Sequence, residues 1–224
     1  TRFIVEQFGA KDNTIHEFPL YSFVVSDLHG HVLDIPIVLF FITLLYSLFL
    51  TFKKTVDYMF VLRIIMASLT LGIMYMTNSW DYPIYFLLLS MIISWLIFKE
   101  NQFTVNSLTK ISLSLIAILF LTLAVSLPFN LNFSQIAQGI GLVHARSPVW
   151  QLLVLWGFPW FVGLGFLIFF CKKIIVYFKR NCQSDFYNFI SKTDLFVFLL
   201  FILATLLVTI PEFIYVKDIY IPSY

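Results

Sequence analysis

Charged residues are scarce in this sequence. Only 12% of its 224 residues are Asp, Glu, Lys or Arg, whereas 60% are hydrophobic and the mean hydropathy is +0.92. A soluble domain carries about 25% charged residues. The shortage of charge therefore excludes an ordinary soluble domain. It indicates an integral membrane protein, whose first partner is the lipid bilayer.

Three further absences narrow the class of protein. The formal net charge is only +2, and no basic cluster is interleaved with aromatic residues, so nucleic-acid binding is not indicated. The two cysteines, Cys171 and Cys182, imply no disulfide framework. The chain begins at Thr1, without a charged segment, short apolar segment and cleavage site in succession. We therefore expect an internal piece of a longer protein.

In place of charge, the sequence has six long apolar runs. A membrane-spanning helix needs about 20 mostly apolar residues. The runs lack the alternation of barrel strands and are too long for such strands. We therefore predict an all-α, polytopic helix bundle that forms one membrane domain, 1–224. Its spans are predicted at about 35–52, 58–77, 82–98, 111–127, 148–171 and 195–210.

Lys and Arg are distributed unevenly between the two sets of loops. Six spans place 1–34, 78–81, 128–147 and 211–224 on one side, and the opposite loops carry nine of the fourteen Lys and Arg residues. Basic loops face the cytoplasm, so we predict that these four loops are extracytoplasmic and that the protein lies in the plasma membrane. Eight of the twelve acidic residues and all four histidines lie on the same predicted side. The positive-inside rule does not require acidic residues and histidines to lie on this side. We therefore expect a functional site among these loops.

Ionisable residues concentrate just before the first span. Asp27, His29 and His31 alternate along the chain, so an extended segment would point all three side chains the same way. Carboxylate and imidazole groups could bind Zn, Mn or Fe, which makes a divalent metal the one cofactor suggested. They could equally form a general-base pair in which the acid orients a histidine. We predict catalytic roles for Glu17, Asp27, His29 and His31, with the last three as candidate metal ligands.

Asp34 has a simpler interpretation. It lies one residue before the predicted first turn of the first span. A carboxylate at that place complements the positive end of the helix dipole. We therefore interpret Asp34 as a residue that supports the start of the helix.

Three other loops on the same side carry polar and aromatic residues. Asp81 lies between Trp80 and Tyr82, and aromatic faces beside a carboxylate suit sugar recognition, although Asp81 could also cap the third span. Arg146 could bind the phosphate of a lipid-linked donor or a lipid headgroup. We expect these loops to line one shared cavity. The predicted substrate-binding residues are Asn78, Trp80, Asp81, Tyr82, Arg146, Glu212 and Asp218.

Several motifs occur in an order that resembles a known family. They are Glu17-Phe18-Pro19, Ser22-Phe23, Asp27-Leu28-His29-x-His31, Asn78-x-Trp80-Asp81-x-Pro83 and Pro211-Glu212-x-x-Tyr215-x-x-Asp218. Over nearly the whole chain they resemble the prokaryotic YYY-type membrane protein family, a polytopic family of uncharacterised function. Gly30 departs from the proline usual between the two histidines. The family's tyrosine triplet and its last segment are absent, as expected for an internal piece.

The resemblance to the YYY-type family also implies a function, because that family in turn resembles a class of enzymes. The YYY-type family is similar in layout to C-type (GT-C) glycosyltransferases, which take a sugar from a polyprenyl-phosphate donor. It thus implies a glycosyltransferase whose partner is a lipid-linked sugar. The catalytic carboxylate of that superfamily usually lies in the first outer loop, here upstream of Thr1, which would leave Asp27 a supporting role. The residues leave two alternatives open: a transporter or flippase of a lipid-linked or polar solute, and a metal-dependent membrane hydrolase.

Overall fold

The fold is a bundle of long helices. The structure, a computed structural model, describes residues 4–7, 10–13, 19–26, 28–51, 58–101, 103–133, 137–143, 146–179 and 190–218. Within them, a short helix α1 (Pro19–Val24) precedes six helices that are long and apolar enough to cross a membrane. These are α2 (Gly30–Thr51), α3 (Tyr58–Thr77), α4 (Asp81–Asn101), α5 (Val105–Asn132), α6 (Val149–Lys179) and α7 (Lys192–Thr209). The predicted all-α class with about six spans is confirmed.

Two small antiparallel sheets lie outside the helices, in segments that were predicted from the sequence to be loops. Strand β1 (Ile4–Gln7) pairs with β2 (Ala10–Asn13). Strand β3 (Ala137–Leu142) pairs with β4 (Ile214–Asp218), which follows α7 and a short 3-10 turn at Ile210–Glu212. The second sheet therefore ties the segment between α5 and α6 to the segment after α7.

Most helices extend beyond the apolar runs that predict them. Helix α5 begins at Val105, where the Thr104 hydroxyl accepts a hydrogen bond from the Ser107 amide at 3.2 Å. It continues through Pro128 as far as Asn132, beyond the predicted end of this span at about residue 127. Polar caps satisfy the free amides of a first turn. Helix ends therefore follow the capping residues rather than the limits of hydrophobicity.

The buried core lies mainly among α2, α3 and α4. Phe41 and Leu45 of α2, Leu71 of α3 and Leu88 of α4 are completely buried. Helix α6 is peripheral, since Phe170 is its one buried residue within the described structure. Apolar side chains of a peripheral helix face lipid in a bilayer, whereas the core helices are positioned by contact with one another.

One end of the bundle is held by lysines. Lys173 of α6 forms an ion pair with Asp194 of α7 at 2.6 Å, and the Lys192 ammonium donates to the Leu50 carbonyl of α2 at 2.6 Å. The hydroxyls of Tyr46 and Thr193 hydrogen-bond at 2.8 Å. These contacts bring the end of α2 and the end of α6 together with the start of α7. That the lysine-rich end faces the cytoplasm stays a prediction.

At the opposite end, the start of α2 touches the end of α3 through backbone. A Cβ added to Gly30 would lie 2.6 Å from the Thr77 carbonyl oxygen. No side chain can occupy that space unless one of the helices moves. Gly30 therefore permits a close approach of two helix ends.

We expect Gly30→Ala to destabilise the protein by about 1–3 kcal/mol, because the added methyl group meets backbone atoms that cannot rotate away. Thermal unfolding in detergent would measure the effect. Gly165→Ala in α6 is the matched control, since nothing lies within 4 Å of its added Cβ. Equal unfolding temperatures for the two variants would contradict the tight contact.

Candidate functional site

The turn between α3 and α4 is closed by reciprocal contacts between two residues. The Asn78 side-chain amide donates to Oδ2 of Asp81 at 2.9 Å, and the Asp81 backbone amide donates to the Asn78 carbonyl at 3.0 Å. Asp81 is the first residue of α4, where a carboxylate is favourably placed in the helix dipole. Both predicted site residues thus lie together, and Asn78 holds one oxygen of the Asp81 carboxylate in place.

Asp34 lies beside Asp81, which corrects its interpretation from the sequence. Helix α2 begins at Gly30, so Asp34 is its fifth residue and does not precede the first turn. Its side chain is completely buried, and neither carboxyl oxygen has a hydrogen-bond donor among the described residues. The Asp34 carboxyl group neighbours that of Asp81. The Tyr85 side chain of α4 is close enough to interact electrostatically with both carboxyl groups. We call this arrangement the Asp34–Asp81 pair.

Burial of the Asp34–Asp81 pair inside the bundle costs free energy. A buried polar group without a partner costs several kcal/mol in apolar surroundings, and an isolated charge costs more. Ionisable residues inside membrane helices are rare and commonly mark substrate or proton pathways. Asp34 is thus a candidate site residue that was not predicted from the sequence. The available signal was a carboxylate only three residues after His31, immediately before an uncharged apolar run.

The two predicted catalytic histidines lie at the start of α2. The His29 carbonyl accepts hydrogen bonds from the amides of Val32 and Leu33 at 2.9 and 3.1 Å, so His29 forms the first turn with its backbone. The rings of His29 and His31 meet edge to face, with their centroids 5.6 Å apart. Both residues are half-buried. They belong to the same helix start as Asp34.

The proposed metal ligands are only partly described. Glu17 and Asp27 lie outside the described residues. Within the residues that the structure does describe, no group of three His, Cys, Asp or Glu side chains could hold a metal ion. The metal site of Asp27, His29 and His31 therefore stays a prediction.

Aromatic side chains form a cleft beside the α3–α4 turn. Tyr75 of α3 contacts Tyr82 of α4 and Phe129 of α5, with ring centroids 5.7 and 6.0 Å apart. The cleft has a volume of about 310 Å³. It is lined by Tyr75, Tyr82, Thr122, Leu123, Asn130 and Phe133. We call it the aromatic cleft.

The aromatic cleft contains one predicted site residue and several that were missed. Tyr82 faces it, whereas Trp80 is 55% exposed and is not among its lining residues. Asn130 donates from its side-chain amide to the Ser126 hydroxyl at 3.1 Å, which orients it within α5. Tyr75 and Phe133 come from apolar or boundary segments, where aromatic residues are common and carry little signal.

A second group of predicted residues lies around the short turn after α7. The Ser147 amide donates to Oε2 of Glu212 at 2.7 Å. The Arg146 guanidinium lies over the Phe213 ring, 4.5 Å from its centroid. Arg146 and Glu212 therefore come together, as an exposed cation and a carboxylate fixed by backbone. Asp218 ends β4 opposite Ala137 of β3.

The described helices define the class of protein: a polytopic integral membrane protein with ionisable residues packed at one end of its bundle. Residues 1–188 match the model of the family described as uncharacterized membrane protein (DUF2298), and the chain belongs to that family. Comparisons with curated proteins and with solved structures gave no significant match.

Replacement of the residue that holds Asp81 tests the site geometry. We expect Asn78→Asp to lower the free energy of unfolding by about 1–3 kcal/mol, because a charged hydrogen bond is lost and a third carboxylate is added. Chemical denaturation in mild detergent would measure the loss. Asn132→Asp is the control, since Asn132 is exposed and donates only to the Pro128 carbonyl. Similar losses in both variants would show that Asn78 has no special role.

Proposed function

We propose that this protein is a membrane glycosyltransferase of the GT-C type that takes a sugar from a polyprenyl-phosphate donor at the outer face of the plasma membrane. The observation that carries the proposal is the position of Asp81. Held by Asn78, it directly precedes Tyr82, which lines the aromatic cleft. A fixed carboxylate beside an aromatic-walled cavity is an arrangement suited to a sugar.

The chemistry of the aromatic cleft supports a saccharide. Aromatic rings offer apolar faces on which the C–H surface of a sugar ring can pack, while tyrosine hydroxyls can form hydrogen bonds. Asn130 adds an amide that can donate and accept. Pockets with mainly apolar walls and a few placed polar groups are typical of small-molecule sites. In this proposal Asp81 accepts a hydrogen bond from a sugar hydroxyl, and Trp80 contacts the sugar from the outer side.

The location supports a lipid-linked donor. The aromatic cleft lies where α3, α4 and α5 reach the same end of the bundle, so the lipid tail of a donor could remain among the helices. Arg146 is exposed near this end, and a guanidinium binds phosphate oxygens in a bidentate manner. We propose that Arg146 contacts the donor phosphate and that Glu212 and Asp218 close the cavity.

The proposed reaction is a displacement at the sugar. An acceptor hydroxyl attacks the anomeric carbon, the bond from that carbon to the phosphate oxygen breaks, and the polyprenyl phosphate leaves with the bonding electrons. The hydroxyl proton passes to a carboxylate, for which Asp27 and Glu17 are the candidates in this chain. His29 and His31 would orient that carboxylate.

A second candidate function is transport of a lipid-linked or polar solute. The burial of Asp34 within a spanning helix favours it, because such acids occur in proton relays of transporters. The two functions differ in their product. A transporter moves its solute across the bilayer unchanged, whereas a glycosyltransferase breaks the bond between sugar and phosphate.

An assay of the full-length protein in liposomes tests the proposal. With radiolabelled polyprenyl-phosphate sugars, we expect transfer of label to a water-soluble acceptor. Asp81→Asn should lower the rate about 10- to 100-fold, as expected for loss of a charged hydrogen bond. Tyr82→Ala should lower it about 10-fold through loss of the aromatic wall.

Two variants at the other end of the bundle serve as controls. Asp194→Asn changes a carboxylate in the first turn of α7, and Tyr58→Ala removes an exposed tyrosine at the start of α3. Both should retain transfer per folded molecule. Failure of every donor in a panel, together with unchanged cell-surface glycans in a deletion strain, would refute glycosyl transfer. Translocation of intact lipid-linked sugar would favour the transporter instead.

A further inference from the structure

Asp34 differs from the other described aspartate that packs between helices. Asp194 accepts a hydrogen bond from the Lys173 ammonium at 2.6 Å, and its backbone amide donates to the Ser191 hydroxyl at 3.1 Å. Asp34 is more deeply buried, and no Lys or Arg among the described residues pairs with it. An ionised Asp194 is thus compensated by a cation, whereas an ionised Asp34 would not be.

The Asp81 carboxyl group, which lies beside Asp34 from α4, makes the ionisation of Asp34 still less favourable. The neutral Tyr85 phenol of α4 also lies near Asp34. From its own helix, His31 is one turn away. Two adjacent carboxyl groups cannot both be ionised without strong repulsion, and Asp34 is the member of the pair that is completely buried. The arrangement around Asp34 therefore favours a neutral acid.

Hydrogen-bonding capacity leads to the same conclusion. An ionised carboxylate can only accept hydrogen bonds, so two ionised carboxylates cannot bond to each other. A protonated carboxyl group has one O–H donor. One proton on Asp34 would thus give its buried oxygens a partner in Asp81, and no other partner is found within the described structure.

The contacts of Asp81 indicate which residue carries the proton. Asp81 is only partly buried, accepts a hydrogen bond from the Asn78 amide and lies in the first turn of α4. All three features stabilise a negative charge at Asp81. None of these features acts on the Asp34 oxygens. We therefore expect the proton on Asp34, the buried residue of the pair.

We propose that the Asp34–Asp81 pair is a proton-binding site in which Asp34 is held as a neutral carboxylic acid that donates a hydrogen bond to ionised Asp81. The site needs no sugar and no metal, so it exists whether or not the proposed function is correct. Where that function holds, Asp34 is a positioning residue that acts through Asp81. It would fix the orientation of the Asp81 carboxylate, which directly precedes the cleft residue Tyr82.

Infrared spectroscopy tests the proposal without substrate. Full-length protein carrying isotope-labelled aspartate should show, at neutral pH, the carbonyl stretch of a protonated carboxylic acid. Asp34→Asn should remove this band. Asp81→Asn should keep the band but shift its frequency, because the acceptor of the Asp34 hydrogen bond has changed. Asp194→Asn is the matched control and should leave the band unaltered, since Asp194 is ionised.

Stability gives a second readout that does not depend on spectroscopy. Replacement of a neutral acid by an amide preserves shape and charge, so Asp34→Asn should leave the unfolding temperature unchanged or raise it. Asp194→Asn should lower it, because Lys173 loses its partner. A protonated band that persists in Asp34→Asn, the lack of such a band in the wild-type protein, or equal thermal losses in the two variants would each overturn the proposal. Loss of transfer activity alone bears on the glycosyltransferase and leaves the proton site standing.

Discussion

The backbone contact between the start of α2 and the end of α3 is the constraint on which the functional end depends. Because Gly30 has no side chain, α2 can approach the Thr77 carbonyl closely. That approach brings the first turns of α2 against the α3–α4 turn, where Asn78 and Asp81 are fixed to each other. The Asp34–Asp81 pair is a consequence of this packing. A bulkier residue at position 30 would move the start of α2, and Asp34 with it, away from Asp81.

Much of the fold could be predicted because a bilayer admits few architectures. Every backbone polar group must be satisfied within the membrane, so a run of about 20 apolar residues has to be a helix. Part of the site was also accessible from the sequence. Asn78 and Asp81 lie three residues apart in a short connection, and that spacing alone makes their side chains neighbours. Local sequence was sufficient wherever the contact was local.

The parts of the fold and of the candidate site that could not be predicted depend on packing between segments that are distant in the sequence. Asp34 was assigned to a helix start because the apolar run begins after it, whereas α2 begins earlier, at Gly30. The aromatic cleft combines α3, α4 and α5, and no spacing within one helix indicates that Tyr75 and Phe133 share a cavity. The pairing of β3 with β4 likewise joins residues that lie 72 to 81 positions apart in the chain. Long-range pairing of this kind leaves little local signal.

The length of α6 has a consequence for how the protein sits in its membrane. A helix of 31 residues is about 46 Å long, whereas the hydrocarbon layer is about 30 Å thick. Helix α7, with 18 residues, spans only about 27 Å and is tied to α6 by the Lys173–Asp194 ion pair. An ion pair is most stable at the level of the headgroups, so the six residues of α6 after Lys173 extend past the acyl chains. We therefore expect the shorter helix α7 to determine how deep the bundle lies in the bilayer. The last turns of α6 would then extend beyond the hydrocarbon layer.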